Sequence, residues 1–409
     1  MSKYIFLTNA YLPKPGATGM CVHQIAKELS NRGNEVVVLC YEDQEGTGKF
    51  NYDGIIVYKI KIPFFLKDAS HKTYIIRLMT RYVSLFAKLL HLNKYPLRSN
   101  TLVRRYTKRL SLLLRQNSES TVISTFTPLE TNVAVIKVLR DFKVKHSFFY
   151  STDTLSAEQG NQGYLSPTRR EELGYKWEQT IFSVFDKIII MECHWDYYHQ
   201  KKYSPFWKKM IRSNFPLLSK SVNTNKNINT SNVKSFKLYY AGTLYRNLRN
   251  PEFAAKVLLD LSKALPIQIK FMGGGDCGDI LNKYVDLSNG TMEYTGMVPY
   301  SQVCEELEQA DVLLSIGNAE SPMMPSKVFE YMATGKPIIH FFSWDKDPCI
   351  EPLKKYGNSY LLCSKDKYDI KELISFIENS HIVDFSYVES IFKTSTPAYT
   401  ADIICGKLA

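Results

Sequence analysis

Apolar residues fall along this chain in short unbroken runs, separated by longer stretches in which they recur every three or four positions. Runs at 4–9, 36–40, 121–124, 146–150 and 186–191 are too continuous for strands with one wet face. A strand buried on both faces, in a parallel sheet covered by helices, gives this pattern. Between the first two runs lie a glycine-containing loop at 13–19 and an amphipathic stretch at 22–31 that Gly33 ends, so this region predicts a βαβ unit. A polar stretch at 219–235, rich in Asn, Ser, Thr and Lys, has no apolar period and reads as a linker or surface loop. The pattern then restarts. Runs at 236–242, 267–272, 291–294, 311–316 and 337–342 predict a second parallel sheet, with helices over 251–264 and 301–309, the latter with Ser301 as N-cap. The expected architecture is α/β, two Rossmann-like domains facing across a cleft. They would occupy 1–215 and 236–392, joined by a polar segment at 216–235, with a tail or helix at 393–409 able to pack back on the first domain.

Composition changes this picture little. At 409 residues, with 44% apolar and 22% charged residues, the chain is an ordinary globular one of two-domain length. No apolar run reaches the eighteen or so residues of a membrane-spanning helix, and the apolar start lacks a small-residue cleavage site. The eight cysteines are scattered without a CxxC pair, as expected of buried thiols in a reducing cytoplasm. There is no HExxH motif, and His194 and His199 are five apart, the wrong spacing for one helix face, so no metal is expected. Charge changes more. Residues 59–115 hold fourteen Lys or Arg and one acidic residue, Asp68, a local +13 that exceeds the formal +12 of the whole chain. Apolar and aromatic residues at near-helical spacing lie among these cations. An amphipathic helix on anionic lipid, an RNA-binding surface and a plain solvated helix all fit.

One stretch is built for chemistry. Residues 325–339, PSKVFEYMATGKPII, place Lys327 and Glu330 on one face of a short helix that Gly335 and Pro337 end. Ser326, Lys327 and the first-turn N–H groups suit a phosphate, and Glu330, one turn on, can accept from a ribose diol. A solvated Lys–Glu pair is the plain alternative. Other candidates sit after strands. Gly16 and Gly19 follow the first run and serve either a tight turn or a phosphate contact; Gly242, Arg246 and Arg249 hold the same place in the second half, where the arginines are diphosphate ligands or surface residues. Gly274, within three consecutive glycines, marks a ligand approach or a sharp turn. Asp153 and Glu320 follow further strands, as site carboxylates or as loop and cap residues. No GxxxxGK[ST] or nucleic-acid motif occurs, so nucleic acid is not an expected partner.

Taken together, 4–40, Tyr240 to Leu244, Thr295 to Val298, 310–315 and above all Ser326 to Pro337 resemble the GT-B glycosyltransferases, specifically the large family-four group of retaining enzymes. The resemblance spans most of the chain. It implies a nucleoside-diphosphate-sugar donor, a glycan or lipid-linked acceptor and no cofactor. It puts Glu330 on the donor ribose, Ser326 and Lys327 near the diphosphate, and 59–115 on the membrane. It further implies bacterial surface-polysaccharide assembly, at the cytoplasmic side and peripheral at the inner face of the plasma membrane. On that reading Asp153, Lys327 and Arg246 are the catalytic candidates, and Gly19, Gly242, Arg249, Gly274, Glu320, Ser326 and Glu330 bind the donor. The sequence departs from the family at three places. Pro322 stands where a first donor-site glutamate is usual, with Glu320 two residues away; Gly242-Thr243-Leu244 replaces Gly-Arg-Leu; and residues 151–153 stand where a histidine is usual. A sugar-nucleotide epimerase on the same fold and a non-catalytic basic binding protein are the other two function classes considered. The basic segment gives an epimerase no advantage.

Overall fold

A computed structural model describes residues 2–12, 16–42, 48–63, 98–157, 165–220, 235–319 and 322–408. The chain divides into two compact units, Met1–Pro216 with Pro397–Ala409, and Leu217–Thr396. The polar stretch expected as a linker falls mainly on 221–234, outside the described residues, as do Glu320 and the 64–97 portion of the basic segment.

The first unit holds an eight-stranded sheet in the order β3-β4-β2-β1-β5-β6-β7-β8. The apolar runs form its centre: β1 (Lys3–Leu7), β2 (Glu35–Tyr41), β5 (Thr121–Thr125), β6 (His146–Ser151) and β7 (Lys187–Met191), all parallel. Ile5, Val37, Val122 and Ile188 are among the fully buried residues of the core. Three strands of this sheet escaped the sequence reading. β3 (Gly48–Tyr52) and β4 (Ile55–Ile60) form an antiparallel hairpin, and β8 (Met210–Ser213) is a short parallel edge. β3 is almost wholly exposed, so nothing in its pattern distinguishes it from a loop. The first helix, Ala17–Asn31, starts five residues before the expected position and takes in Gly19, which is buried in its first turn. Gly19 is therefore a helix residue rather than a loop residue. The chain end returns to this unit as the helix Pro397–Ile404. There Asp402 pairs with Arg32 at 2.6 Å and Thr400 Oγ1 lies 3.2 Å from Ser213 Oγ on β8.

The second unit holds a six-stranded parallel sheet, β11-β10-β9-β12-β13-β14, made of β9 (Phe236–Ala241), β10 (Ile267–Met272), β11 (Met292–Gly296), β12 (Val312–Ile316), β13 (Ile338–Phe342) and β14 (Ser359–Cys363). The strand order reverses between β9 and β12. At such a reversal the connecting segments leave the sheet toward opposite faces and open a crevice at the strands' carboxyl ends. The helix Tyr300–Gln309 begins one residue before Ser301, so Ser301 lies in its first turn; its N-cap is Pro299, which provides no side-chain cap. Among the described residues, no helix is long and apolar enough to cross a membrane.

Candidate active site

The crevice at the β9/β12 reversal is built by three loops and one short helix. The helix Lys327–Ala333 lies over the end of β9. Its buried Tyr331 hydroxyl accepts the Ala241 N–H at 2.9 Å and lies 3.1 Å from the Ala241 carbonyl, which fixes helix to strand. The chain then passes Gly242 and crosses the loop after β10 at close range. A Cβ on Gly273 (φ +148°) would sit 1.8 Å from the Gly242 carbonyl, and one on Gly275 (φ +125°) 1.7 Å from that of Leu244. Leu244 N–H donates to Gly274 at 2.9 Å, and Asp276 N–H to Leu244 at 3.1 Å. Gly273 and Gly275 are thus explained by packing of one loop on the other. At Gly274 a Cβ would meet only the exposed Met297 side chain, at 2.8 Å.

The two arginines of the post-β9 loop part company. Arg249 N–H bonds back to Tyr245 at 2.7 Å, closing a turn. Within that turn Arg246 is exposed and forms an ion pair with Asp279, while its N–H donates to Asp276 at 2.9 Å. Arg249 points the other way. Its Nε and Nη2 donate to Asn318 Oδ1 at 3.1 and 2.8 Å, and Nη1 reaches the Thr243 carbonyl at 3.3 Å. Asn318, two residues beyond β12 and buried, is itself held by donating to the Met323 carbonyl at 2.7 Å. Arg249 therefore bridges the loops on either side of the strand reversal, and meets no carboxylate among the described residues. Lys327 joins it there. Burial pushes the Tyr240 hydroxyl up, and both Arg249 and Lys327 oppose that rise, so two cations act on one buried hydroxyl. Arg249, not Arg246, shares the neighbourhood of Lys327.

Lys327 Nζ lies 3.2 Å from Glu330 Oε2 and 5.6 Å from the Tyr300 ring centre. Both partners of the ion pair are partly exposed, at 29% and 20% of their side-chain surface, so it is open to a competing ligand. Ser326 is the N-cap, but its side chain makes no capping bond. The helix has only seven residues. The side-chain charges of Lys327 and Arg249, more than its dipole, make this corner positive.

Asp153 and Gly19 belong to the first unit, at the carboxyl edge of its sheet. Thr18 Oγ1, beside Gly19, lies 3.4 Å from Thr152 Oγ1, which brings the start of the first helix to the loop carrying Asp153. Asp153 Oδ1 accepts the Thr154 N–H at 2.8 Å and lies 3.6 Å from His194 Nε2. His194 follows β7, is 1% exposed, and is held by burial to a pKa of about 4. It was missed because no motif surrounds it; its place directly after a central strand was the available signal. Tyr240 and Tyr331 lie inside motifs read from the sequence but were not singled out, because their positioning role comes from contacts between strand and helix; Asn318 has no motif of its own.

The neutral His194 has a consequence for stability. An unfolded histidine takes up its proton near pH 6.5, and the buried one resists until about pH 4. Between those values the unfolded state binds more protons, so stability is complete above pH 6.5 and falls as pH drops toward 4, by up to about 3 kcal/mol. Urea unfolding at pH 7.5 and 5 should show that loss in the native protein and a smaller one in His194→Gln. Equal pH dependence in both would contradict this account.

Residues 235–372 match the model of the family described as Glycosyl transferases group 1. That match covers the second sheet and every residue of the crevice just described. The fold is GT-B. Sucrose-phosphate synthase from Thermosynechococcus elongatus superposes with a TM-score of 0.58 at 12% identity, covering 100% of this chain and 97% of that one. WaaG, a glycosyltransferase involved in lipopolysaccharide biosynthesis, gives a TM-score of 0.55 at 13% identity, covering 99% and 100%. Anabaena HepE, solved in complex with UDP and glucose, gives 0.53 at 14% identity, covering 100% and 95%. A sequence comparison with curated proteins finds no match.

Proposed function

We propose that this GT-B protein is a glycosyltransferase that moves a sugar from a nucleoside-diphosphate donor to a glycan or lipid-linked acceptor, with retention, in surface-polysaccharide assembly. The observation that carries the reading is the Arg249 guanidinium fixed by Asn318 and the Thr243 carbonyl at the strand reversal, with Lys327 and Glu330 paired on the short helix that Tyr331 pins to the end of β9. Two cations fixed before substrate arrives suit a diphosphate, where negative charge grows as the anomeric C–O bond breaks. Glu330 Oε1, unengaged among the described residues, would accept from the ribose diol while Oε2 keeps Lys327 in place. In a retaining transfer the acceptor hydroxyl attacks from the face the diphosphate leaves, and its proton passes to the departing phosphate oxygen. Asp153, held by the Thr154 N–H, would orient an acceptor hydroxyl. This chemistry uses side-chain cations and calls on no cofactor.

The reading is tested by Glu330→Ala. Loss of a charged hydrogen bond to the ribose weakens donor binding by about 10- to 100-fold, with the fold intact. An unchanged donor KM together with unchanged kcat would remove Glu330 from the site.

An acceptor at the cytoplasmic face of a membrane fits the helix Asn100–Gln116, the longest described part of the basic segment. It buries Leu102, Tyr106, Leu110 and Leu113 and exposes Arg104, Lys108, Leu112 and Arg115, without one acidic residue. Such a face suits anionic lipid. Co-sedimentation with phosphatidylglycerol vesicles is expected at low salt and should fall steeply at high salt. Equal recovery with neutral vesicles would count against it.

A further inference from the structure

The second sheet carries a buried polar cluster for which sugar transfer has no use. His340 on β13 lies beside Ser315 on β12 in the strand register, and its Nδ1 is 2.9 Å from Ser315 Oγ. Its Nε2 faces Asp347 Oδ2 at 3.6 Å. Both atoms are buried, and neither makes a hydrogen bond. Asp347 Oδ1 accepts the Cys349 N–H at 2.8 Å, which locks those two residues into one turn. One ligand atom from each of His340, Asp347 and Cys349 lies within 4.8 Å of the others. The three residues are 0%, 4% and 0% exposed. Gly317 leaves the space for this arrangement, since a Cβ there would stand 1.8 Å from Asp347 Oδ2.

A buried nitrogen and a buried carboxylate oxygen that face each other beyond hydrogen-bond range have given up water for nothing. An ion pair at that distance needs a protonated imidazole. A cation between them satisfies both atoms at once. The donor set selects the cation: one imidazole, one carboxylate and one thiol suit zinc, whereas calcium and magnesium take oxygen alone. Ser315 supplies the outer contact such a histidine needs. With Nδ1–H donated to its hydroxyl, the Nε2 lone pair is left facing Asp347.

We propose that His340, Asp347 and Cys349 bind a structural zinc ion, the fourth position being filled by water or a backbone carbonyl. On binding, the Cys349 thiol releases its proton to solvent and the sulfur ligates as thiolate. The ion would brace the end of β12 at Gly317, next to Asn318, which holds Arg249. The spacing of six residues and then one between the ligands follows no familiar metal motif, so the expectation of a metal-free chain could not have detected it. The inference is independent of the transferase reading.

The test is metal analysis of the full chain, purified without a histidine tag from zinc-containing medium. About one zinc per chain is expected in the native protein, and less than about a tenth of that in His340→Gln and Cys349→Ser. Zinc-free native protein, or unchanged zinc in both variants, overturns the proposal. Should the variants not fold, chelator-treated native protein is titrated with cobalt(II). A thiolate-to-cobalt charge-transfer band saturating at one equivalent supports the site, and its absence overturns it.

Discussion

Arg249→Ala is expected to lower kcat of the proposed transfer by about 100- to 1,000-fold, the scale of losing one preorganised group that stabilises developing charge. The guanidinium is held by Asn318 and the Thr243 carbonyl before any ligand arrives, so no reorganisation is needed as the diphosphate departs. Arg246→Ala provides the control. Arg246 is exposed and committed to Asp279, so its loss should change kcat less than about 3-fold. The two arginines are three residues apart and alike in composition, and only the turn closed between Tyr245 and Arg249 separates them. Steady-state kinetics of the two variants decides the matter. Equal losses, or a larger loss at Arg246, would place the diphosphate on the other side of the loop.

Glu178→Ala should destabilise the first unit by about 3–5 kcal/mol, within the range for leaving buried polar partners uncompensated. Glu178 is fully buried in the helix Pro167–Val184. Its carboxylate accepts from Leu155 N–H at 2.7 Å, Ser156 N–H at 3.2 Å and the Tyr198 hydroxyl at 3.0 Å, as well as from the hydroxyls of Ser156 and Tyr203. Burial pushes this carboxyl up against the pull of those donors. One turn before it, Gly174 lets the loop press onto the helix, since a Cβ there would lie 2.1 Å from the Leu155 carbonyl. Helix and loop are thus joined by a carboxylate and a bare backbone, and the loop so held is the one that presents Asp153. Glu178→Gln keeps an acceptor for several of these donors and should lose less than half as much stability. Denaturant titration measures both. A change below about 1 kcal/mol in the alanine variant would mean that the loop does not depend on this network.

The parts of the fold that could be read from sequence share one physical property. β1, β2, β5, β6, β7, β9, β12 and β13 are parallel strands that are largely buried, so their apolar residues run with little alternation and the run itself is the signal, whereas β10 alternates in part, with Gln268 exposed. β3 and β8 lie at sheet edges, where little is buried and the pattern fades. Gly19 suggested a loop because glycine is a poor helix former, but packing within the first turn overrides that preference. The site divides the same way. Lys327 and Glu330 were legible because helical spacing alone places them together, and they do meet at 3.2 Å. Choosing Arg249 over Arg246 and finding Asn318, Tyr240 and His194 all required knowing which strand ends adjoin. The proposed zinc ligands lie close in sequence, on β13 and in the turn after it, but their spacing matches no metal motif, and only the fold shows their ligand atoms within 4.8 Å of one another.

The account rests on a donor cradle at Arg249, Lys327 and Glu330. The most direct measurement is a thermal-shift panel of UDP-, GDP-, ADP- and CMP-sugars against the native protein and Glu330→Ala. A stabilising shift with one nucleotide class, lost or strongly reduced in the variant, is the result this account predicts. No shift with any donor, or an equal shift in both proteins, would contradict it.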